Sequence, residues 1–554
     1  GCDTIKYPVM MTDIPKIEKK FGASINVFGH IGSTIHPLHI TKSQSNKHVD
    51  MLFTSSKDIN HYVWIKDFNK LCFDISKHKE KQHFCKYCIQ HFRTEAMLQK
   101  HVPNCFAING VQAVEMPKPG SRLFYKTGKQ ELPVPFVIYA DFESCIIPCN
   151  EDQSSNTIRM DEHIPCSYGY KVVCQQNDEY SKSYKSFRGE EAVGEFLKAI
   201  FEEEMQIAAI MSDFKTNKHN LTREEELDWA ESDNCYLCGI PFDDEFKYAT
   251  KVRDHCHVTG NYRGAACSKC NLQLSLTYRL PVIFHNLRGY DGHIIMQEIG
   301  KFQRNISVIP ETLEKYKSFT VERTHKHVDR KGKTKTSIRH NLTFIDSFQF
   351  MSSSLSKLVE NLKHGSLDKF KYTGEVFGDH LETMVRKGVY PYKFVSGHDK
   401  FEVLLASLQP DDFINDLTGD HISDKDFTFF RQVCNDFRMT TLGEYHDLYL
   451  KSDVLLLADV FENFRKTCLD CYKLDPCHFI SAPSLSWNAM LKYTEVKLEL
   501  ISDVDMSLFI DKGMRGGISV ISGRYSKANN KYLSDYNPSE PSKHIIYLDA
   551  NNLY

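Results

Sequence analysis

The chain has 554 residues, 41% hydrophobic and 25% charged, with a formal net charge of −3. That composition is globular rather than disordered and leaves room for roughly two to four domains. It excludes a polyanion binder that works by bulk charge, so any nucleic-acid contact must rest on local residues. No run approaches the length of a membrane span, and no charged-then-apolar leader opens the chain, so neither a membrane partner nor secretion is expected. Several of the 18 cysteines stand in C-x2-C pairs. In a chain of this size that spacing reads as metal sites in a reducing, intracellular compartment.

Residues 1–80 show short strand-like runs such as His61–Ile65 and carry no recognisable chemistry. Residues 81–106 hold Cys85-x2-Cys88-x12-His101-x3-Cys105, with Phe84, Phe92 and Leu98 at the positions of a small apolar core. Thiolates and imidazole suit tetrahedral Zn²⁺, and the spacing lets a hairpin and a helix give two ligands each. The block resembles a C2H2 zinc finger whose last ligand is Cys. Residues 107–134, with Pro117, Pro119, Gly120 and Pro133, read as a linker.

A domain over 135–465 begins with the apolar, β-rich run Pro135–Ser144, which ends in Asp141 and Glu143. Residues two apart share a strand face, so these carboxylates repel each other unless a hard divalent cation, Mg²⁺ or Mn²⁺, lies between them. A second apolar strand, Leu280–Asn286, leads into Leu287-Arg288-Gly289-Tyr290-Asp291. Further on, Tyr449 and Asp453 are four apart on a helical pattern over Tyr445–Cys468, whose apolar stripe (Leu448, Leu455, Leu456, Val460, Phe464) packs on the sheet.

The ordered set D-x-E, N-x3-Y-D, Y-x3-D resembles the DEDDy 3′–5′ proofreading exonuclease of family B DNA polymerases. The resemblance implies a ribonuclease-H-like α/β fold. It also implies two metals held by Asp141, Glu143, Asp291 and Asp453, a water oriented by Tyr449, and single-stranded DNA contacts at Asn286 and Tyr290.

Asp141 and Asp291 are 150 residues apart, which exceeds a strand–helix–strand excursion and marks an insertion. Arg188–Trp229 is helical in pattern, and its runs Glu202–Glu204 and Glu224–Glu226 read as solvated faces. The insertion, 232–275, holds two C-x2-C pairs separated by 28 residues, Cys235/Cys238 and Cys267/Cys270, a Cys₄ zinc pattern. Between them, Asp254-His255-Cys256-His257-Val258-Thr259-Gly260-Asn261-Tyr262-Arg263-Gly264 resembles the His-Me finger of recombination endonuclease VII. The resemblance implies His255 as general base, Asp254 and Asn271 on a divalent ion, and His257 in support. Cys256 departs from the pattern, standing where phage enzymes have a second acid. A cutting nuclease and a zinc-stapled structural or DNA-gripping module both stay open.

The basic run His325–Lys335 reads as a solvated hairpin tip. Ser354 and Leu355 fit the S/T-L-x2-h motif of protein-primed family B polymerases, which touches the primer end and the priming protein; the alternative is a helix start with Ser as N-cap. Lys387 fits the same family's K-x2-h, whose Lys supports the exonuclease site. Cys468, Cys471 and Cys477-His478 read as core rather than a third zinc site.

The last region, 466–554, is expected to begin a polymerase domain. Met514-Arg515-Gly516-Gly517 resembles the Y-x-G-G loop with Met for Tyr, placing Arg515, Gly516 and Gly517 near DNA. His544–Tyr554 resembles polymerase motif A, with Asp549 on the catalytic metals and Tyr554 under the incoming sugar. Gly1 and the strand-like end suggest a fragment, which alone is expected to degrade DNA without extending it.

Together the motifs resemble a protein-primed family B DNA polymerase, and the two zinc patterns resemble those of Polinton/Maverick mobile elements or related viruses. That implies DNA, dNTPs and a terminal priming protein as partners, and a nuclear location if the element is eukaryotic. Two other readings remain: a dedicated zinc-containing nuclease, and a zinc-finger DNA-binding protein with an inactive exonuclease fold.

Overall fold

The computed structural model describes residues 9–31, 34–42, 45–56, 59–73, 80–109, 116–126, 128–149, 161–214, 221–242, 248–274, 279–302, 304–312, 315–328, 334–414, 419–514, 523 and 525–546. They fall into two compact units, the first Gly1–Leu123 with Leu498–Tyr554 and the second Phe124–Lys497. Among the described residues no helix is long and apolar enough to cross a membrane.

The first unit carries a four-stranded sheet in the order Thr34–His39, Ser24–Ile31, His48–Ser56, Ile59–Trp64. Its two central strands run parallel. Phe28, Ile35, Ile40, Phe68 and Cys72 form a core that also takes in Phe84 of the adjoining hairpin. That hairpin, His83–Phe84 with His91–Phe92, precedes a helix over Glu95–Asn109, the finger arrangement the ligand spacing predicts.

The second unit is built on a seven-stranded sheet. Its strands are β1 (Val137–Pro148), β2 (Asp161–Val173), β3 (Lys185–Arg188), β4 (Arg279–Phe284), β5 (Asn305–Pro310), β6 (Tyr316–Val328) and β7 (Thr334–Asp346). The spatial order is β3-β2-β1-β4-β7-β6-β5. β1, β4 and β7 are parallel, and β2 and β3 antiparallel to their neighbours. β5 and β6 extend the far edge as an antiparallel ribbon.

Strand alternation divides the apolar residues of β1 between two cores. Ile138, Ala140 and Phe142, with Phe136 just before the strand, face helix α1 (Ala192–Phe214) and helix α2 (Asp291–Ile299). Val137 and Tyr139 face helix α3 (Leu442–Tyr472). α3 starts in a capping box, Thr441 Oγ1 with Glu444 N and the Glu444 carboxylate with Thr441 N, and ends at Lys473 in left-handed conformation.

Several expectations change. The compact unit runs past 135–465 at both ends because a buried charge network stitches them in. Arg465 is fully buried, donating to Asp475 Oδ2 at 2.6 Å, Glu462 Oε1 at 2.7 Å and Val134 O at 2.9 Å. Val134 N–H donates to Asp475, and Leu485 and Ala489 join the same core. Glu203 and Glu204, expected on a solvated face, are buried: Glu203 pairs with Lys182 and Lys185, and Glu204 with Arg304. The run Glu224–Glu226 is solvated or nearly so. Cys468 is buried as expected, whereas Cys471 is exposed.

Candidate active site

The acids of β1 and α3 meet on the α3 face of the sheet. Carboxylate oxygens of Asp141, Glu143 and Asp453 all lie within 4.8 Å of one another. Alternation places the first two, and the i, i+4 spacing of α3 turns Tyr449 and Asp453 to the same side. Asp291 opens α2 after the turn at the end of β4; it is buried and stands outside this trio, although its charge acts on Asp141 and Glu143. Burial, together with the Asp453 charge, pushes Asp141 up to about 7. Burial and the Asp141 and Asp453 charges hold Glu143 well above the usual carboxylate range, and burial with Asp141 does the same to Asp291.

Among the described residues, Lys387 answers this repulsion. Lys387 Nζ lies 2.8 Å from Asp453 Oδ2. Burial opposes its charge, but Asp453 outweighs that and keeps the ammonium protonated. The next residue is Gly388, where a Cβ would approach Tyr449 to 2.9 Å, so the Lys-Gly pair lets the tyrosine ring close over the lysine backbone. Tyr449 is buried, and its hydroxyl meets that of Tyr392 at 2.9 Å. One lysine against four acids leaves a deficit of positive charge. Asp453 Oδ1 and Asp291 Oδ1 are buried without a hydrogen-bond partner. Buried carboxylates with open lone pairs are the donor set that Mg²⁺ or Mn²⁺ takes.

The turn carrying Asn286 and Tyr290 is pinned by a residue to which the sequence reading gave no role. Asp346, at the end of β7 and fully buried, accepts N–H groups from Asn286 at 2.9 Å, Arg288 at 3.2 Å and Phe348 at 3.0 Å. Asn286 adopts φ +73°, a conformation Asn tolerates. Its side chain is exposed, and the Tyr290 hydroxyl pairs with His163 at 2.9 Å. His446, on α3, is a second unforeseen member. It bridges Ser167 Oγ (2.7 Å) and Tyr390 Oη (2.6 Å), and burial pushes it down to about 3.

Ser354 and Leu355 sit at a helix start. Ser354 Oγ accepts Lys357 N–H as N-cap and Leu355 is buried, the alternative given for that motif. Arg515, Gly516, Gly517, Asp549 and Tyr554 lie outside the described residues.

Both cysteine sets converge. The ligand atoms of Cys85, Cys88, His101 and Cys105, and those of Cys235, Cys238, Cys267 and Cys270, each lie within 4.8 Å of one another. Cys235 is held down to about 7: burial opposes the thiolate, but N–H groups of Cys267, Cys238 and Leu237 favour it more. In the insertion, His255 ends the strand Lys251–His255, and its ring centroid is 4.7 Å from that of His257. Asn271 lies on the short helix Ser268–Gln273. Asp254 is buried, and its carboxylate is engaged by Arg263 at 2.6 Å and the Tyr236 hydroxyl at 2.6 Å.

Residues 278–535 match the family described as DNA polymerase type B, organellar and viral. The match spans Asn286, Asp291, Lys387, Tyr449 and Asp453, while β1 with Asp141 and Glu143 precedes it. Residues 212–287 match recombination endonuclease VII. No curated protein matches the chain. Among solved structures, phi29 DNA polymerase with primer–template DNA (post-translocation binary complex) is 9% identical, covering 63% of this chain and 33% of that one at a TM-score of 0.24. The phi29 polymerase with single-stranded DNA is 9% identical, covering 64% and 34% at a TM-score of 0.23. The chain thus spans about a third of the length of those polymerases.

Proposed function

We propose that the chain is part of a DNA-directed DNA polymerase of the protein-primed family B type, and that the Asp141 cluster is its 3′–5′ proofreading exonuclease. The observation that carries this reading is the convergence of Asp141, Glu143 and Asp453 within 4.8 Å, with Asp291 buried beside them and Lys387 on Asp453. The order β3-β2-β1-β4-β7, with β1, β4 and β7 parallel, supports the ribonuclease-H-like fold that such a site requires.

The four acids are the residues that would hold Mg²⁺ or Mn²⁺. When bound, such ions supply charge stabilisation and a nucleophile-activating field for phosphodiester hydrolysis. The remaining work falls to the chain. Lys387 keeps Asp453 aimed into the cleft. Tyr449, its hydroxyl fixed by Tyr392, orients the attacking water. Asp346 fixes the turn from which Asn286 and Tyr290 reach the strand end. Cys85/Cys88/His101/Cys105 and Cys235/Cys238/Cys267/Cys270 each take one Zn²⁺. Asp549 serves nucleotide addition in the complete polymerase, with Tyr554 under the sugar.

For the insertion we favour the zinc-stapled module over a cutting nuclease, because the Asp254 carboxylate already braces Arg263 and Tyr236. The test of the exonuclease is degradation of 5′-labelled single-stranded DNA in Mg²⁺ or Mn²⁺. Wild type shortens it from the 3′ end, and Asp141→Ala with Glu143→Ala stops this while the fold persists. Undiminished degradation by the double variant rules the site out.

A further inference from the structure

Tyr184 belongs to none of the motifs above, yet it stands on the acid side of the sheet. It lies just before β3 and packs against the apolar core between the sheet and α3. A Cβ at Gly169 would collide with the Tyr184 hydroxyl, so the glycine is what admits the ring. Gly169 is the residue of β2 directly opposite Asp141 of β1. Facing residues of an antiparallel pair point to the same side of the sheet, which puts the hydroxyl beside the Asp141 carboxylate.

Its electrostatic neighbours agree with that position: Asp447, Asp141 and Asp453. Burial holds the phenol above its ordinary range, so it remains a hydrogen-bond donor. The oxygen is buried; the Ser186 hydroxyl beside it favours the ionised phenol and so stands as a donor, which leaves the Tyr184 proton without an acceptor, just as Asp291 Oδ1 and Asp453 Oδ1 are without a donor. A buried donor with nothing to donate to is costly, and such a group implies an acceptor that arrives with a ligand. A cation stands with it: Lys451 Nζ lies 5.6 Å from the Tyr184 ring centroid, on α3 two residues before Asp453.

We propose that Tyr184 and Lys451 form a substrate subsite of the exonuclease, in which the Tyr184 hydroxyl donates to, and Lys451 neutralises, a non-bridging oxygen of a phosphodiester next to the scissile one. This rests on the exonuclease reading of the Asp141 cluster. It explains why a tyrosine from the sheet edge is threaded over a glycine opposite Asp141. The cleft is otherwise acidic, and a polyanionic strand entering it needs positive and donor groups at its margin. Lys387, on Asp453, is committed to the acids; Tyr184 and Lys451 stand free of that duty.

The test uses the whole chain and 5′-fluorescein-(dT)10, with and without a single uncharged methylphosphonate at the linkage next to the 3′-terminal one. Anisotropy of the zinc-loaded protein without added Mg²⁺ or Mn²⁺ reads binding without turnover, and KM and kcat are read in Mn²⁺. Tyr184→Phe keeps the ring over Gly169 and removes only the hydroxyl; Lys451→Met removes the charge and Lys451→Arg restores it. We expect Tyr184→Phe and Lys451→Met each to weaken binding of the all-phosphodiester strand about 5- to 10-fold and to raise KM more than they lower kcat, with Lys451→Arg close to wild type. The methylphosphonate should weaken wild type by a similar factor and add little in either variant. Wild-type affinity in Tyr184→Phe, a full methylphosphonate effect in both variants, or no binding by wild type overturns the subsite. Degradation surviving Asp141→Ala with Glu143→Ala overturns the exonuclease reading instead, so the two failures are separable.

Discussion

At the scale of single residues, the site is a contest between like charges and burial. Lys387 is paired to Asp453, one of the trio of close acids, at 2.8 Å. Lys387→Ala leaves a buried, unpaired carboxylate. It is expected to lower kcat for single-stranded DNA about 10- to 100-fold with a smaller change in KM, as loss of a group that positions a ligand does. A wild-type kcat in steady-state assays would contradict this role.

Asp141 gives a pH prediction. Its native carboxyl titrates at about 7, raised by burial and Asp453, against about 3.9 in the unfolded chain. A raised carboxyl stabilises the native state at low pH, and that contribution is lost as pH climbs from about 4 through about 7. In EDTA, Asp141→Asn should therefore be more stable than wild type at pH 8, by roughly 2 kcal/mol after discounting for partial exposure, with the gap closing towards pH 5. Denaturant unfolding at the two pH values measures it; a gap independent of pH contradicts it. That Asp141 and Glu143 share one side, and Tyr449 and Asp453 one side, was legible in the sequence because strand and helix periodicity decides it; Asp291 follows a turn, and its place depends on the fold. Tyr184, His446 and Asp346 were not legible, since each acquires its role from a neighbour far away in sequence: Gly169, Ser167 and the Asn286 turn.

At the scale of elements, turns and staples hold the acids in place. Asp346 accepts three N–H groups around the end of β4. Asp346→Ala orphans them, and a loss of about 2–4 kcal/mol in chemical denaturation, with a raised KM for single-stranded DNA, is expected. The insertion is organised in the same way. Cys267→Ser should reduce zinc from two to about one per chain by elemental analysis, and unchanged zinc content would refute the Cys₄ assignment. Asp254→Ala breaks a buried pair and should cost the hairpin about 3–5 kcal/mol. His255→Ala should leave exonuclease activity untouched, whereas loss of that activity would show that the insertion supports the sheet.

Spacing made both cysteine sets readable, since ligand geometry is local. Within Glu202–Glu204, Glu202 is exposed as expected, but Glu203 and Glu204 were misread because charge in a helical pattern usually marks a solvated face. Here Lys182, Lys185 and Arg304 come from other elements to cover them.

At the scale of the whole molecule, one sheet carries the acid cluster and, between β3 and β4, the cysteine-rich insertion. Two family matches, a type B polymerase over 278–535 and endonuclease VII over 212–287, meet on the sheet that gathers the acids. The sequence order of motifs made the polymerase reading legible. The extent of the compact unit was not, because it depends on Arg465 drawing Val134 and Asp475 together across the chain.

Asp141, Glu143, Asp291 and Asp453 are expected to form a divalent metal centre. Titration of the zinc-loaded, EDTA-free protein with Mn²⁺, followed by electron paramagnetic resonance of the free ion, tests it most directly. We predict saturable Mn²⁺ binding by wild type that is lost in Asp141→Ala with Glu143→Ala while zinc content stays unchanged. Equal Mn²⁺ binding by the two proteins would contradict the account.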